Sequence, residues 1–326
     1  MNRKAFTSIG LTFLKTFTLP IAMTVGSVLY LTFAFVPQLD GAARFFDPIL
    51  DALFPVFMFF ILLVTFCKVD FRRMRPARWH AWISIEQFVV VGIIVGLIVG
   101  LRPSGNTLVL SEGLLTCIIA PTAAAAAVVT AKLGGNLETM TTYTFLSNLL
   151  CALMVPVFFP LVNPSADMTF MAAFLKILYK VFLVLVMPML LAYIIKHYAP
   201  RLHRRIVGVK DLSFYIWAVS LSLVTGTTVK HIVHSNASLT FLLVMAAGSL
   251  VVCIVQFAVG RSIGRRHGVR VESGQALGQK NTAFAIWMAY TYLTPLCSVG
   301  PGCYILWQNI INSLEIARTP GGAKSA

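Results

Sequence analysis

The chain consists largely of a succession of apolar runs, each with the length of a membrane-spanning helix. A helix needs roughly 17–25 apolar residues to cross about 30 Å of hydrocarbon. With 58% hydrophobic and only 11% charged residues, the chain has too little polar surface for a water-soluble protein of 326 residues. We therefore predict an all-α membrane protein with ten transmembrane helices, near residues 17–36, 49–67, 81–101, 107–131, 138–162, 169–195, 212–229, 238–260, 273–294 and 299–317.

Basic residues are distributed unevenly between the two sides of the predicted membrane. If the N-terminus is cytoplasmic, twenty of the 26 Lys and Arg fall in the termini and the inner loops, against Arg44, Arg102 and Lys230 in the outer loops. The positive-inside rule predicts this bias for ten spans with both termini in the cytoplasm. We expect a multi-pass protein of the cell (inner) membrane. Its formal charge of +15 reflects topology and contact with the lipid bilayer, so no nucleic-acid partner is expected.

The ten predicted spans divide into two halves of five, residues 1–165 and 166–326. A half with an odd number of helices inserts with the opposite orientation to its duplicate, so the halves would form inverted repeats. In each half the fourth span is irregular, with "APTAAAAAVVT" at 120–130 and "QKNTAFAIW" at 279–287. Interrupted helices leave backbone groups unpaired, which a membrane tolerates only around a cavity or an ion. The two interruptions therefore predict a binding site.

The interruptions supply most of the candidate binding residues, which are Pro121, Thr122, Thr130, Gln279, Lys280, Asn281 and Thr282. Lys280 is the most unusual, because a charge in hydrocarbon costs several kcal/mol unless it is paired or faces water. Counted from the inner side, Lys280 and Glu86 both lie roughly 8–11 Å deep. One hypothesis pairs them. The alternative is that Lys280 bonds to open carbonyls at the interruption or reaches the inner interface.

Lys176 and Lys180 form a second candidate site in the sixth span. Their i, i+4 spacing places both ammonium groups on one helix face, about 10 and 16 Å from the outer end of the span. Such lysines would attract an anion into a cavity, unless the helix begins later and Lys176 reaches outward to the interface. Asn148 in the fifth span is a weaker candidate, because a lone Asn more often joins two helices.

These patterns favour one class of function over two others. The longest polar stretch is only about fifteen residues, and "GQALGQKN" lacks the spacing of a phosphate loop, so an ATP-driven pump with its own nucleotide domain is excluded. We expect a carrier of small organic anions that works by alternating access, not an enzyme. A membrane sensor or receptor is the alternative from a different class. No obligate protein partner is evident.

Four stretches resemble the bile acid:sodium symporter family, and the resemblance covers nearly the whole length. They are "PVFMFFILLVTFCKVDFRRMRP", "IEQFVVVGIIVG", "APTAAAAAVVTAKLGGN" and "LGQKNTAFAIWMAYTYLTPLCSVGPGCYILWQN". The resemblance implies a core domain of spans 3, 4, 5, 8, 9 and 10 and a panel domain of spans 1, 2, 6 and 7. It also implies that spans 4 and 9 are unwound and cross, and that a carboxylate or bile-acid-like substrate binds between the domains.

The sodium ligands that the resemblance implies are only partly present. Ala276 stands where the family usually has a Glu, and Ala126-Ala127 stand where it has Ser-Asn. Met140 stands where the family has a further hydroxyl side chain, whereas Thr144 retains the hydroxyl at another position. The resemblance therefore implies that the first sodium site of the family is absent.

At the second sodium site of the family, Gln87 matches the expected Gln, but Lys280 replaces the Gln expected just before Asn281. We interpret the ammonium group of Lys280 as a tethered replacement for a bound sodium ion. This interpretation implies transport without a cofactor and without the family's usual sodium coupling. Proton coupling through Lys280, uncoupled transport and a sodium-coupled symporter with an altered site remain alternatives.

Overall fold

The structure, a computed structural model, describes residues 18–164, 168–209, 212–235 and 237–318, and this part of the chain is helical with no β-strand. The predicted cytoplasmic termini and the predicted domain boundary at residue 165 lie outside the described residues. The α-helices are α1 (Thr18–Phe35), α2 (Asp40–Cys67), α3 (Arg78–Leu101), α4 (Gly105–Ile119), α5 (Ala126–Lys132), α6 (Leu137–Val162), α7 (Phe170–Val181), α8 (Met187–Tyr198), α9 (Pro200–Gly208), α10 (Leu212–Val233), α11 (Leu239–Arg265), α12 (Arg270–Gly278), α13 (Thr282–Tyr292) and α14 (Val299–Arg318).

Six helical segments in the described residues are long and apolar enough to cross a membrane. They are Pro48–Cys67, Arg78–Leu101, Leu137–Val162, Phe170–Tyr198, Tyr215–Val233 and Leu239–Arg265. Two shorter apolar helices, Pro20–Phe35 and Gly105–Ile119, accompany them. The prediction of an all-helical, multi-pass membrane protein is confirmed. The number of ten crossings and the inverted repeat stay predictions.

Both irregular spans are interrupted at the predicted places. In the fourth span, α4 ends at Ile119 and α5 begins at Ala126. In the ninth, α12 ends at Gly278 and α13 begins at Thr282. The structure also contains a helix that the sequence did not predict, α9, in the loop after the sixth span. A π-helical turn at Phe182–Val186 joins α7 to α8 within the sixth span.

The helices pack in two groups. In one group, α10 packs on α1 and α2, and α2 packs on α8. The other contains α3, α4, α5, α6, α11, α12, α13 and α14, in which α11 and α14 flank the two interrupted segments. Helix α7 packs on α6, and through its π-helical turn the chain passes from the second group to the first. The two interruptions therefore lie inside the second group.

Helices α1 and α10 approach each other closely at two glycines. A Cβ atom on Gly26 would overlap the backbone carbonyl of Ser222, and one on Gly226 would lie 3.1 Å from the Gly26 carbonyl oxygen. Within a membrane, small residues allow this approach, and the resulting dispersion contacts hold the helices together. This contact therefore requires glycine at position 26.

We predict that Gly26→Ala destabilises the protein by about 1–3 kcal/mol, because the new methyl group forces two backbones apart. The measurement is thermal unfolding of the purified protein in detergent. Gly96→Ala on α3 is the matched control, because a Cβ there meets no atom within 4 Å. Equal unfolding temperatures for the two variants would contradict the close packing of α1 on α10.

Candidate functional site

The two interrupted segments cross and pair as a minimal antiparallel ladder. The pairing joins Thr122 of the first segment to Lys280 of the second. It gives partners to backbone groups that the helix breaks leave free, which a membrane interior requires. Two hydrogen bonds flank the pair: the N–H of Ala123 donates to the carbonyl of Gln279 (2.9 Å), and the N–H of Asn281 donates to the carbonyl of Pro121 (2.8 Å).

Local sequence explains both breaks. Pro121 has no N–H to donate and disfavours helical geometry at the residue before it, and Ala120 is extended, with ψ of 144°. In the second segment Gln279 is also extended, with ψ of 93°. Asn281 then restarts the helix, because its side-chain oxygen accepts the N–H of Phe284 at 3.2 Å as an N-cap.

A side chain from a neighbouring helix supports each residue of the pair. The hydroxyl of Ser147 on α6 accepts the N–H of Thr122 at 2.9 Å. On the other side, Gln308 of α14 forms two hydrogen bonds with the backbone of Lys280: its Oε1 accepts the N–H at 2.8 Å, and its Nε2 donates to the carbonyl at 3.2 Å. The side-chain amide of Gln308 thus pairs with the backbone of Lys280 as the backbone of a neighbouring strand would.

The ammonium group of Lys280 lies on the carbonyl end of α4. It donates to the carbonyls of Ile118 (2.9 Å) and Ala120 (3.1 Å), and the residue is only 1% exposed. The Nε2 of Gln87 donates to the same two carbonyls and to that of Ile119. The C-terminus of a helix carries partial negative charge, so the position suits a cation.

The predicted Lys280–Glu86 ion pair is not formed. Glu86 is half-buried on α3, and no ion pair within 4.0 Å joins these two described residues. The alternative hypothesis, in which the amine bonds to open carbonyls of the interruption, describes the structure. The ion pair was predicted because the two residues lie at the same depth in the membrane. It does not form because the carbonyls of α4 lie closer to the amine than the Glu86 carboxylate does.

The carbonyl end of α12 is completed in a different way. Its last residue, Gly278, accepts a hydrogen bond from the hydroxyl of Tyr304 at 2.9 Å, and Gln256 donates to that hydroxyl at 2.9 Å. A neutral phenol thus stands at the end of α12, whereas an ammonium group stands at the end of α4. The crossing is therefore electrically asymmetric.

Four other predicted site residues are buried but form no side-chain hydrogen bond across the crossing. Thr144 donates to the carbonyl of Met140, and Asn148 donates to that of Thr144, both within α6. Thr130 lies in α5 beside Gly135, and its hydroxyl has no partner among the described residues. Thr282 is the first residue of α13. These residues surround the crossing rather than build it.

The sequence analysis missed several polar residues that the structure places inside the bundle. Ser147, Gln256, Tyr304 and Gln308 support the crossing as described above. Glu112 on α4 is fully buried, and its Oε2 accepts the N–H of Thr294 at 3.0 Å, just before a 3₁₀ turn. Each of these residues is a polar group within an apolar run, and in a membrane span such a residue by itself indicates a position that faces the bundle interior.

Lys176 and Lys180 line a cavity of about 370 Å³ between α6, α7 and the end of α13. Both lysines are exposed, and they share the wall with Asn163, Thr291 and Tyr292. The Tyr292 hydroxyl is buried and has no hydrogen-bond partner among the described residues. Apolar walls come from Phe159, Pro160, Met168, Ala173 and Ile177. The cavity thus combines two cations and an orphan hydroxyl with an apolar surface.

Comparison with known proteins identifies the family. A model of the SBF-like CPA transporter family matches residues 19–300, which is most of the chain. The chain belongs to this family. The resemblance to the bile acid:sodium symporters is thereby confirmed, and members of the SBF-like family are membrane transporters rather than enzymes. A search of curated proteins found no match to the chain.

In this SBF-like transporter most positions that the resemblance assigns to the first sodium site lack a side-chain oxygen. Three of the positions that the resemblance assigns to the first sodium site are the buried alanines Ala126, Ala127 and Ala276, and a fourth is Met140, so only Thr144 offers a side-chain oxygen there. Oxygen ligands are what hard cations require. At the other implied site, the Lys280 ammonium already donates hydrogen bonds to two carbonyls at the end of α4.

We predict that Gln308→Ala lowers the free energy of unfolding by about 1–3 kcal/mol, because it leaves a buried N–H and a buried carbonyl without partners. Thermal unfolding in detergent tests this. The neighbouring Asn309→Ala is the matched control, since Asn309 only donates to Ile305 in its own helix. If both variants lose the same stability, Gln308 does not hold the crossing.

Proposed function

We propose that the chain is a secondary transporter of organic anions in which Lys280 is a fixed positive charge at the crossing. One observation carries the proposal. The Lys280 ammonium is buried inside the helix bundle and donates hydrogen bonds to backbone carbonyls. No acidic side chain among the described residues lies within ion-pairing distance of it. A buried charge in a membrane protein is expensive and commonly marks the transported ion's pathway. An anion is the partner that offsets it.

The cavity at Lys176 and Lys180 is the proposed place where the anion enters. Two ammonium groups on one helix face attract a carboxylate. The apolar wall suits a hydrocarbon body attached to the carboxylate. We therefore propose an amphipathic organic carboxylate as the substrate class.

Helix α13 connects the cavity to the crossing. It begins at Thr282, directly after the crossing, and Thr291 near its other end lines the cavity. Nine residues separate the two, a distance of about 14 Å along a helix. A rigid helix of this length transmits a displacement from one end to the other, so an anion in the cavity would act on the crossing through α13.

The contacts at the crossing support the proposed inverted repeat. Ser147 supports Thr122 from the fifth predicted span, and Gln308 supports Lys280 from the tenth. A similar relation holds for the third and eighth spans, where Gln87 donates to the end of α4 and Gln256 reaches the end of α12 through Tyr304. Spans at the same position in the two halves thus support the crossing or the helix end beside it in the same way.

Alternating access would then be a movement of one helix group against the other. In this proposal the group of α1, α2, α8 and α10 would form the panel, and the group that contains the crossing would form the core. The proposed setting is ten spans in the cell membrane with both termini in the cytoplasm. Sodium has no role in this mechanism. The driving force is the anion's own gradient or a proton.

We predict that Lys280→Met reduces anion uptake at least tenfold, because it removes the fixed charge, while transport by the wild type does not require sodium. The assay is uptake of radiolabelled cholate and a panel of small carboxylates into proteoliposomes, with sodium and pH gradients imposed separately. Lys132→Met, at an exposed lysine that ends α5, is the control.

Sodium-dependent accumulation by the wild type would contradict the proposed role of Lys280. Unchanged uptake by Lys280→Met would contradict it as well. If no anion in the panel enters wild-type proteoliposomes above the empty-liposome background, the sensor alternative is favoured.

We predict that the double variant Lys176→Gln/Lys180→Gln raises the KM for the transported anion about tenfold with little change in the maximal rate. The two charges would contribute to binding equally in every state of the cycle, which affects KM alone. Unfolding temperatures should not change, because both side chains are exposed. A fall in maximal rate with unchanged KM would place the lysines outside the binding site.

A further inference from the structure

A second cavity, of about 490 Å³, opens where two apolar helices end. Its wall contains Cys67, the last residue of α2, and residues 68–72, which follow it, together with Lys196 and His197 of α8 and His203 and Val207 of α9. The apolar segments of these helices end at Cys67 and Tyr198, so the cavity lies at the level where both leave the membrane. The charge bias of the sequence assigns this level to the cytoplasmic side.

The cavity has free positive charge. Lys68 and Arg72 are exposed, and their side chains make no hydrogen bond or ion pair with any described residue. Lys196, in contrast, is engaged: it donates to the carbonyl of Val69 at 2.9 Å and lies 3.4 Å from Asp70. The two unpartnered cations are therefore available to a ligand.

The one acidic residue of the wall is already engaged. Asp70 accepts the N–H of Arg72 and lies within 4 Å of Lys196 and Arg73. The Arg72 N–H and then these two cations hold the pKa of the Asp70 carboxyl below its ordinary value. Asp70 is thus an anion at neutral pH whose charge is offset by neighbours, and it does not cancel Lys68 and Arg72.

Helix α9 closes the cavity and adds a basic face. His203 Nε2 lies 2.8 Å from the Cys67 carbonyl, which fastens α9 to the end of α2. Ile206 packs against the hydrophobic core, whereas Arg201, Arg204 and Arg205 are exposed on the opposite face. Short amphipathic helices with this arrangement lie in the membrane interface, where cations meet anionic headgroups.

We propose that this cavity binds the phosphate of an anionic lipid headgroup. Lys68 and Arg72 would hold the phosphate, since unpaired Lys and Arg are the usual phosphate ligands. A lipid suits the site better than free phosphate, because the exposed apolar residues Leu190 and Ile194 share one face of α8 with His197 of the cavity wall and lie on the side of the predicted membrane interior. The inference does not depend on the transported substrate.

The test uses the full chain purified in detergent. Phosphatidylglycerol, phosphatidylcholine and glycerol phosphate are titrated separately, and lipid adducts are counted by native mass spectrometry alongside thermal unfolding. We expect phosphatidylglycerol to form adducts and raise the unfolding temperature. We expect binding at least tenfold weaker in Lys68→Gln/Arg72→Gln and unchanged in Arg265→Gln/Arg266→Gln, a control pair of exposed basic residues at the end of α11.

Equal binding of phosphatidylglycerol and phosphatidylcholine would overturn the proposal, as would equal losses in the two double variants. Stabilisation by glycerol phosphate at the same concentration as the lipid would overturn the assignment to a lipid. Because all four substituted residues are exposed, the variants should fold, and an unchanged unfolding temperature without lipid verifies this.

Discussion

A single antiparallel pair, Thr122 with Lys280, holds together the interior of this transporter. Each interruption frees backbone groups that hydrocarbon cannot solvate, and a membrane protein must supply partners for them from within. Here the partners are the opposite segment, a hydroxyl from α6 and an amide from α14. The surrounding helices therefore have to present these side chains at one depth, which restricts how the core group can pack.

The lysine makes this structure unusual in chemical terms. Its backbone takes part in the pair, while its side chain turns to the carbonyl end of α4. One residue thus performs two tasks, bridging the segments and placing a positive charge where partial negative charge collects. A dissolved cation can leave such a place, whereas a side chain cannot. We infer that the tethering of this amine to the chain is what separates the proposed mechanism from sodium coupling.

Features set by local sequence could be predicted, and features set by distant contacts could not. Apolar run length predicted the helices, and Pro121 and Asn281 predicted the breaks, because both act on their own backbone. The support from Gln308 and Tyr304 depends on helix rotation, which hydropathy does not specify. Glu86 shows the same limit: its depth was known, but its direction around α3 was not. Helix α9 was missed because it is short and strongly basic.

The central claim is that an amine occupies the place of a metal ion. Thermal unfolding of the wild-type protein in sodium chloride and in choline chloride, at equal ionic strength and over a wide range of concentration, tests it most directly. The account predicts the same unfolding temperature in both salts, since no site remains for sodium to stabilise the folded state. A saturable rise in unfolding temperature with sodium alone would contradict it.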